Sequence, residues 1–386
     1  MLVRGDNLDV LTRLRPSFEG KFRCIYADPP FNTGRKFAEY NDARTAGNWL
    51  EMMRVRLEAM HPLLAEDGAV FVEIDDTQLG ELLALMDAVF GRENRVSIVT
   101  IVRSAPTGHK ASNRGPVNVT DFLLLYAKRR SSWRAFPVWR RREGRDAAYA
   151  TYLKNRDDPP ARWTFEPLAQ AVARQLGYAE RSAASRALGA EGFERAALSF
   201  SLEHAPSVVR AAQPRYEAVS IVARRWIDRS KRHPERIFVL DRPGLRPLIL
   251  RGGNRLLFLS DKVRLENGQR VVVEPLTNVW NDVPFQGIAR EGGVTFIRNK
   301  KPERLLQRVL QLSTLPGDWV LDPFLGSGTT AAVAHKMGRC YVGIEAENSF
   351  DALCVPRVKR VVDGEDSSGI TRVSGWRGGG GFGVFV

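Results

Sequence analysis

The sequence is poor in the residues that form disulfide frameworks and metal sites. It has three cysteines and five histidines among 386 residues. Cys24, Cys340 and Cys354 are too scattered for a zinc-binding spacing, and no two histidines form a ligand-like pair. We therefore expect neither a disulfide scaffold nor a structural metal.

Long hydrophobic runs are also missing. The longest apolar stretches are short, such as residues 70–72 and 122–126, whereas a membrane-spanning helix needs about 20 apolar residues. The first residues lack the apolar core of a signal peptide. The sequence thus predicts a cytoplasmic protein without a membrane span.

Positive charge is what the sequence has in excess. Lys and Arg total 58 against 44 Asp and Glu, which gives a formal net charge of +14. Such an excess favours a polyanionic partner, most simply nucleic acid, although an arginine-rich coding bias would give the same composition. Hydrophobic residues make up 44% of the chain, enough for a large core. The length suggests two domains, or one domain with an insert.

Apolar periodicity divides the chain into three segments. Residues 1–130 alternate strand-like and helix-like stretches, and the alternation returns over residues 276–386. The segment 131–275 between them is rich in Arg and Trp, weakly periodic and interrupted by Pro and Gly. Alternating strands and helices are typical of a doubly wound, Rossmann-like α/β sheet. We therefore predict one such domain, formed by both outer segments, with residues 131–275 as an inserted domain.

A glycine-rich turn follows a predicted strand in the last segment. Asp322-Pro323-Phe324 precedes Gly326-Ser327-Gly328, a helix starts at Thr329, and Glu345 ends the next strand. Glycines let a ligand approach the backbone, and a carboxylate at that place can bind both hydroxyls of a ribose. A phosphate-binding P-loop would need Lys after the second glycine, where this sequence has Thr. The pattern favours a nucleotide-type cofactor, with an ordinary strand–helix turn as the alternative.

A second polar turn ends the strand predicted over residues 22–27. Asp28-Pro29-Pro30-Phe31 places a carboxylate at the strand end, where two prolines fix the backbone. The Asp28 carboxylate and the Pro29 carbonyl can each accept a hydrogen bond from an exocyclic amine, and Phe31 can stack on a planar base. Holding both amine protons would free the nitrogen lone pair for attack. The alternative is a simple capped turn.

Taken together, the two turns resemble the motifs of the amino-group DNA methyltransferases. Residues 27–34 match the family's catalytic motif and residues 321–330 its cofactor motif, in the order of the β class. The chain is similar in particular to the modification subunits of type III restriction-modification systems. Further family blocks match at residues 5–8, 121–128, 278–282 and 299–303.

This resemblance implies an S-adenosylmethionine-dependent methyltransferase fold, and methyl transfer to the exocyclic amine of a flipped DNA base. Asp28 at the first motif position implies adenine N6 as the target, with cytosine N4 as the alternative. The catalytic residues implied are Asp28, Pro29, Pro30 and Phe31. The cofactor-binding residues implied are Asp6, Asn7, Lys300, Pro302, Asp322, Pro323, Phe324, Gly326, Ser327, Gly328, Thr329 and Glu345.

The resemblance also makes double-stranded DNA the expected partner. The inserted segment would then recognise the target sequence, and basic side chains would contact phosphates or base edges. Candidates for these contacts are Arg129, Arg130, Arg140, Arg141, Arg142, Arg224, Arg225, Lys231 and Arg232.

Other functions stay open on the sequence alone. A non-catalytic DNA-binding subunit could keep the fold, a nicotinamide-dependent oxidoreductase could use the same glycines, and RNA could replace DNA. A restriction subunit and a second copy of the chain are further candidate partners. The chain length is at least as consistent with a stand-alone methyltransferase as with a subunit of a restriction complex.

Overall fold

The computed structural model describes residues 1–32, 46–105, 115–266, 268–295, 300–346 and 349–386. These residues form two compact units, one made of residues 1–138 and 277–386 and the other of residues 139–276. Within the described ranges, no helix is long and apolar enough to cross a membrane.

The strands are, in chain order, β1 (Leu2–Arg4), β2 (Phe22–Ala27), β3 (Leu64–Ile74), β4 (Arg95–Val102), β5 (Thr120–Ala127), β6 (Trp139–Arg141), β7 (Thr151–Leu153), β8 (Phe165–Pro167), β9 (Val208–Ala212), β10 (Ile237–Arg242), β11 (Leu245–Arg251), β12 (Asn254–Phe258), β13 (Val263–Glu266), β14 (Gln269–Pro275), β15 (Val279–Trp280), β16 (Trp319–Asp322), β17 (Cys340–Glu345) and β18 (Val384–Phe385). The α-helices are α1 (Asn7–Phe18), α2 (Ala46–Met60), α3 (Leu79–Phe90), α4 (Leu168–Gln175), α5 (Arg181–Glu203), α6 (Ile221–Arg232), α7 (Glu303–Ser313), α8 (Thr329–Lys336), α9 (Val355–Val362) and α10 (Thr371–Ser374).

The first unit is built on a nine-stranded sheet. Its strands lie in the order β15-β4-β5-β3-β2-β16-β17-β1-β18. Every neighbouring pair is parallel except the two pairs that β5 makes with β3 and β4. The strand β2 from the N-terminal segment therefore pairs directly with β16 from the C-terminal segment.

Helices cover both faces of this sheet, because successive residues of a strand point to opposite sides. Ile25 and Ala27 of β2 belong to the same buried cluster as residues of α1, α2 and α3, such as Leu11, Met53 and Leu82. Between them, the Cys24 side chain contacts Ser313 of α7. Helices α7, α8 and α9 pack together. The predicted doubly wound α/β fold is confirmed.

The second unit contains two antiparallel sheets. One has the strand order β10-β11-β12-β9-β7-β8, and the other has the order β13-β14-β6. Helices α4 and α5 contribute to one buried apolar cluster, and α6 packs on β10 and β11 around Ile227 and Leu248 in another. This unit therefore has apolar cores of its own.

The second unit begins at residue 139, later than the boundary of 131 expected from the sequence. The stretch between these positions belongs to the first unit. The Phe136 N–H donates to the Leu312 carbonyl of α7 at 2.9 Å. Trp133 is buried, and the Arg130 guanidinium lies over its ring. The Arg- and Trp-rich composition therefore starts before the second unit does.

Candidate active site

A cleft of about 300 Å³ opens at the carboxyl edge of β2, β16 and β17. Because the carboxyl ends of parallel strands meet at one edge, this is where an open α/β sheet places its ligand sites. Most of the predicted site residues line this cleft, namely Asp6, Asn7, Asp28, Pro29, Pro30, Phe31, Lys300, Asp322, Pro323, Phe324, Gly326, Ser327, Thr329 and Glu345.

Two predicted cofactor residues, Gly328 and Pro302, do not line the cleft. Gly328 has a left-handed backbone, with φ of 80°, and a Cβ there would lie 3.3 Å from the Cα of Cys354. A side chain would thus be strained and crowded at this turn. Pro302 is buried at the N-cap of α7. Both residues shape the backbone behind the cleft.

The glycine-rich turn is held by the two carboxylates that flank it in sequence. Asp322 accepts hydrogen bonds from the Phe324 N–H at 2.9 Å and from the Thr330 hydroxyl at 2.5 Å. Glu345 accepts one from the Gly326 N–H at 2.6 Å. Burial raises the pKa of Asp322 to about 7 and that of Glu345 also to about 7. Both carboxyls are therefore poised to change charge near neutral pH.

A buried arginine braces the same turn from behind. The Arg357 guanidinium donates to Thr329 Oγ1 at 2.7 Å and to the Ser327 hydroxyl at 3.2 Å, and it pairs with Glu303 at 3.0 Å. Arg357 and Glu303 are fully buried. The sequence analysis missed both, because nothing local marks a charged residue on a helix as buried.

The start of the chain closes another side of the cleft. The Asp6 carboxylate caps α1 by accepting from the Leu8 N–H at 2.8 Å, and it pairs with Arg56 at 3.0 Å. The Asn7 amide donates to the Pro323 carbonyl at 2.8 Å. The predicted residues Asp6 and Asn7 thus tie the first helix to the glycine-rich turn.

Lys300 lines the cleft, but its ammonium group points into the backbone. It donates to the carbonyls of Ala289, Glu291 and Val294 at 3.2 Å, 2.5 Å and 2.8 Å. Burial lowers the pKa of Lys300 to about 8. The ammonium therefore orders the segment before α7. Asn299 of the same family block lies outside the described residues, as do Thr33 and Gly34 of the first motif.

The Asp28 turn has a fixed backbone and a buried carboxyl. Trp49 of α2 donates its indole N–H to the Pro30 carbonyl at 2.6 Å, and Phe31 packs against the main apolar cluster. Asp28 Oδ1 forms an ion pair with Lys301 at 3.0 Å. Within the described residues, Oδ2 accepts no hydrogen bond. One carboxylate oxygen is thus available to a ligand.

Asp28 belongs to a charged cluster that the sequence analysis did not find. Lys301 also donates to Glu73 Oε1 at 2.6 Å, and the Tyr26 hydroxyl donates to Glu73 Oε2 at 2.5 Å. Burial raises the pKa of Asp28 to about 8, although the ion pair with Lys301 opposes the shift. The two carboxylates in turn raise the pKa of Lys301, which stays a cation. A glutamate at the end of an apolar strand was the available sequence signal.

The basic residues suggested for DNA contacts differ in what they already bind. Arg129 pairs with Glu66, Arg130 stacks on Trp133, Arg140 and Arg142 share Glu274, and Arg224 donates to backbone carbonyls. Lys231 lies over the Tyr216 ring. Those that are exposed and have no ion pair among the described residues are Arg141, Arg225 and Arg232.

Comparisons with known proteins agree with this geometry. A family model described as "DNA methylase" matches residues 22–354. The chain is 31% identical to the "Probable type III restriction-modification enzyme HindVI Mod subunit" of Haemophilus influenzae, over 99% of this chain and 53% of that protein. It is 28% identical to "Type II methyltransferase M.EcaI" of Enterobacter cloacae, over 92% and 68%.

A solved structure, the cytosine-N4-specific PvuII DNA methyltransferase, superposes with a TM-score of 0.45 and 12% identity, covering 92% of this chain and 85% of that one. The chain spans about half the length of the Haemophilus relative. The family model spans most of the chain, from β2 through the glycine-rich turn to Cys354. The chain therefore belongs to the DNA methylase family.

Proposed function

We propose that this protein transfers a methyl group from S-adenosylmethionine to the exocyclic amine of a flipped DNA base, with adenine N6 as the preferred target. One observation carries the proposal: the Asp28-Pro29-Pro30-Phe31 turn and the glycine-rich turn with Glu345 line the same cleft. An amine acceptor and a cofactor cradle are thus within one cavity. Membership of the DNA methylase family supports the same activity.

The residues of the cleft fit this cofactor. Gly326 and Ser327 offer backbone close to the ligand, and Glu345 can accept hydrogen bonds from ribose hydroxyls. Asp28, Asp322 and Glu345 are acids in a partly buried cleft, and a positively charged ligand favours their ionised forms. The cofactor supplies a methyl group on a sulfonium, which is electrophilic enough that no covalent enzyme intermediate is needed.

The task left to the protein is to orient the amine. Asp28 Oδ2 and the Pro29 carbonyl would each accept one N–H of the amine, which frees the nitrogen lone pair, and Phe31 would stack on the base. Such alignment of reacting groups is worth several kcal/mol of the barrier. The arrangement needs Asp28 as a carboxylate.

We assign DNA recognition to the second unit, residues 139–276, and to basic side chains that are exposed there. Flipping the base costs about a few kcal/mol, which phosphate and groove contacts would offset. A DNA substrate is consistent with the cytoplasmic location expected from the sequence. The two relatives named as restriction-modification proteins suggest a restriction subunit as a partner, and a homodimer is a further proposal.

The test identifies the product. Purified protein is incubated with unmethylated genomic DNA and labelled S-adenosylmethionine, and the digested nucleosides are identified by mass. We expect N6-methyladenine. N4-methylcytosine would keep the fold, cofactor and amine chemistry but overturn the preference for adenine. The absence of any labelled nucleoside would overturn the proposed activity in favour of a non-catalytic subunit.

Asp28→Ala is the matching variant. We expect it to abolish methylation, because the amine loses its carboxylate acceptor, while DNA binding stays nearly unchanged. Asp9→Ala removes an exposed carboxylate of α1 and should leave methylation as in the wild type. Methylation by the Asp28→Ala protein at the wild-type rate would contradict the mechanism.

A further inference from the structure

We propose that Lys301 and Glu73 are positioning residues for Asp28, in which Lys301 fixes one carboxylate oxygen and the stacking ring, and Glu73 holds Lys301 in place. This inference rests on the proposed function, because it assigns roles within the amine-binding turn. Neither residue was among the candidates from the sequence.

Lys301 connects the two parts of the turn that would hold the base. Its ammonium lies 3.0 Å from Asp28 Oδ1 and 4.8 Å from the centre of the Phe31 ring. A cation over an aromatic face is attractive, more so when water is excluded, and the Lys301 side chain is 9% exposed. One side chain thus restrains both the carboxylate and the ring that flank the amine site.

Glu73 acts at the next layer. It lies near the end of β3, beside β2, and its side chain is fully buried, so it is shielded from a substrate. It binds Lys301 Nζ with one oxygen at 2.6 Å and receives the Tyr26 hydroxyl on the other at 2.5 Å. The chain of contacts Tyr26–Glu73–Lys301–Asp28 leaves the ammonium little freedom to turn away.

The charges around Asp28 make the two residues opposite in effect. The groups that face this cluster are Tyr26, Glu73, Asp121, Lys301 and Asp322, with Arg103 paired to Asp121 at 3.2 Å. Lys301 is the cation in contact with Asp28, and Glu73 is an additional anion near it. In a buried site, a neighbouring cation favours the carboxylate form and a neighbouring anion disfavours it.

The two isosteric variants therefore predict shifts of opposite sign. Lys301→Met removes the cation and should raise the pH at which Asp28 ionises. Glu73→Gln removes an anion, keeps the shape and should lower that pH. Each shift should be about one pH unit or more, the size that a close charge produces in a buried pair. A purely structural role would lower the activity of both variants without moving their pH profiles apart.

The experiment measures kcat/KM for methylation by the full chain between about pH 6 and pH 10, since this profile reports groups of the free enzyme. For the wild type, we expect a rise through an apparent pKa of about 8. Lys301→Met should move the rise to higher pH, and Glu73→Gln to lower pH. Lys301→Arg keeps the cation and should stay closer to the wild type.

The controls separate folding, cofactor binding and catalysis. Lys359→Met removes an exposed lysine of α9 and should leave the profile unchanged. Calorimetric titration with S-adenosylmethionine should give affinities within about twofold of the wild type at high pH, where Asp28 is ionised in all variants. If Lys301→Met does not fold, Glu73→Gln alone still tests the downward shift.

The outcomes distinguish this inference from the proposed function. Profiles that do not move, or that move in the same direction, would overturn the positioning roles while the wild-type protein still methylates DNA. A wild-type protein that produces no methylated nucleoside on DNA of varied sequence would instead overturn the activity itself.

Discussion

Three carboxyl groups of the cleft, Asp28, Asp322 and Glu345, are held largely out of water. Burial raises their pKa values to about 8, 7 and 7 respectively. At neutral pH, the ligand-free site therefore carries protons that a cationic ligand would expel. We consider the site at rest to be substantially neutral and the site with its proposed cofactor to be charged.

This difference predicts that cofactor affinity depends on pH. Because a raised pKa means that the acids ionise only as the pH increases, S-adenosylmethionine should bind more tightly as the pH rises from about 6 to 8. Binding at pH 7 should release protons. Calorimetry in phosphate and in Tris, buffers of different ionisation enthalpy, measures the number released. Equal apparent enthalpies in the two buffers would contradict this expectation.

Glu345→Gln tests one contributor to this linkage. The amide keeps the shape and can still accept from the Gly326 N–H, but it carries no charge for the ribose hydroxyls or the proton exchange. We expect about a tenfold weaker affinity, as for the loss of a charge-assisted hydrogen bond, and fewer protons released. An unchanged affinity together with an unchanged proton count would remove Glu345 from the cofactor site.

The residues that the sequence revealed share a local signature, and the missed ones do not. Asp28 and Asp322 follow apolar strands and precede prolines, so their place at strand ends is legible in a short window. Lys301 and Glu73 meet across 228 residues of chain. Their partnership follows from the strand order and the approach of the segment before α7, which no short-range pattern encodes.

At the scale of elements, most strands and helices could be predicted, but their ends depend on tertiary contacts. The helix expected up to residue 64 ends at Met60, because a short 3-10 turn with Pro62 follows it. Gly68 lies inside β3 rather than before it. A Cβ there would lie 2.6 Å from the Phe22 carbonyl of β2, so close packing of strands explains this glycine.

Helix α6 supplies a matched test of DNA binding in the second unit. Arg225 and Arg232 are exposed, whereas Arg224 donates to the carbonyls of Tyr216, Glu217 and Val219. Arg225→Gln with Arg232→Gln should weaken DNA binding and reduce the salt dependence by about one per lost phosphate contact, since each contact releases counterions. Filter binding over a range of salt concentrations measures this slope.

Arg224→Gln is the control within the same helix. It should lower the stability of the second unit by about 1 kcal/mol for the hydrogen bonds lost, and leave the salt dependence unchanged. A reduced slope in Arg224→Gln, or an unchanged slope in the double variant, would show that the assignment of roles along α6 is wrong.

At the scale of the whole molecule, two units with separate apolar clusters predict two responses to the cofactor. A ligand stabilises the unit that binds it, by about 2.7 kcal/mol at a concentration one hundred times its Kd. Scanning calorimetry with S-adenosylmethionine should therefore raise one melting transition by roughly 5–10 °C and leave the other in place. A common shift of all the heat absorption would mean that the chain unfolds as one cooperative unit.

The strand order also determines when during synthesis the cleft can exist. Strand β2 must wait for β16, and β17 must follow before Glu345 reaches the Gly326 N–H. The roughly 200 residues from 138 to 345 take about 10 to 40 s to translate at about 5–20 residues per second. Throughout that interval the nascent chain carries an open, apolar β2 edge. A ribosome-bound chain therefore cannot modify DNA, and it is at its most vulnerable to mispairing while the second unit is being made.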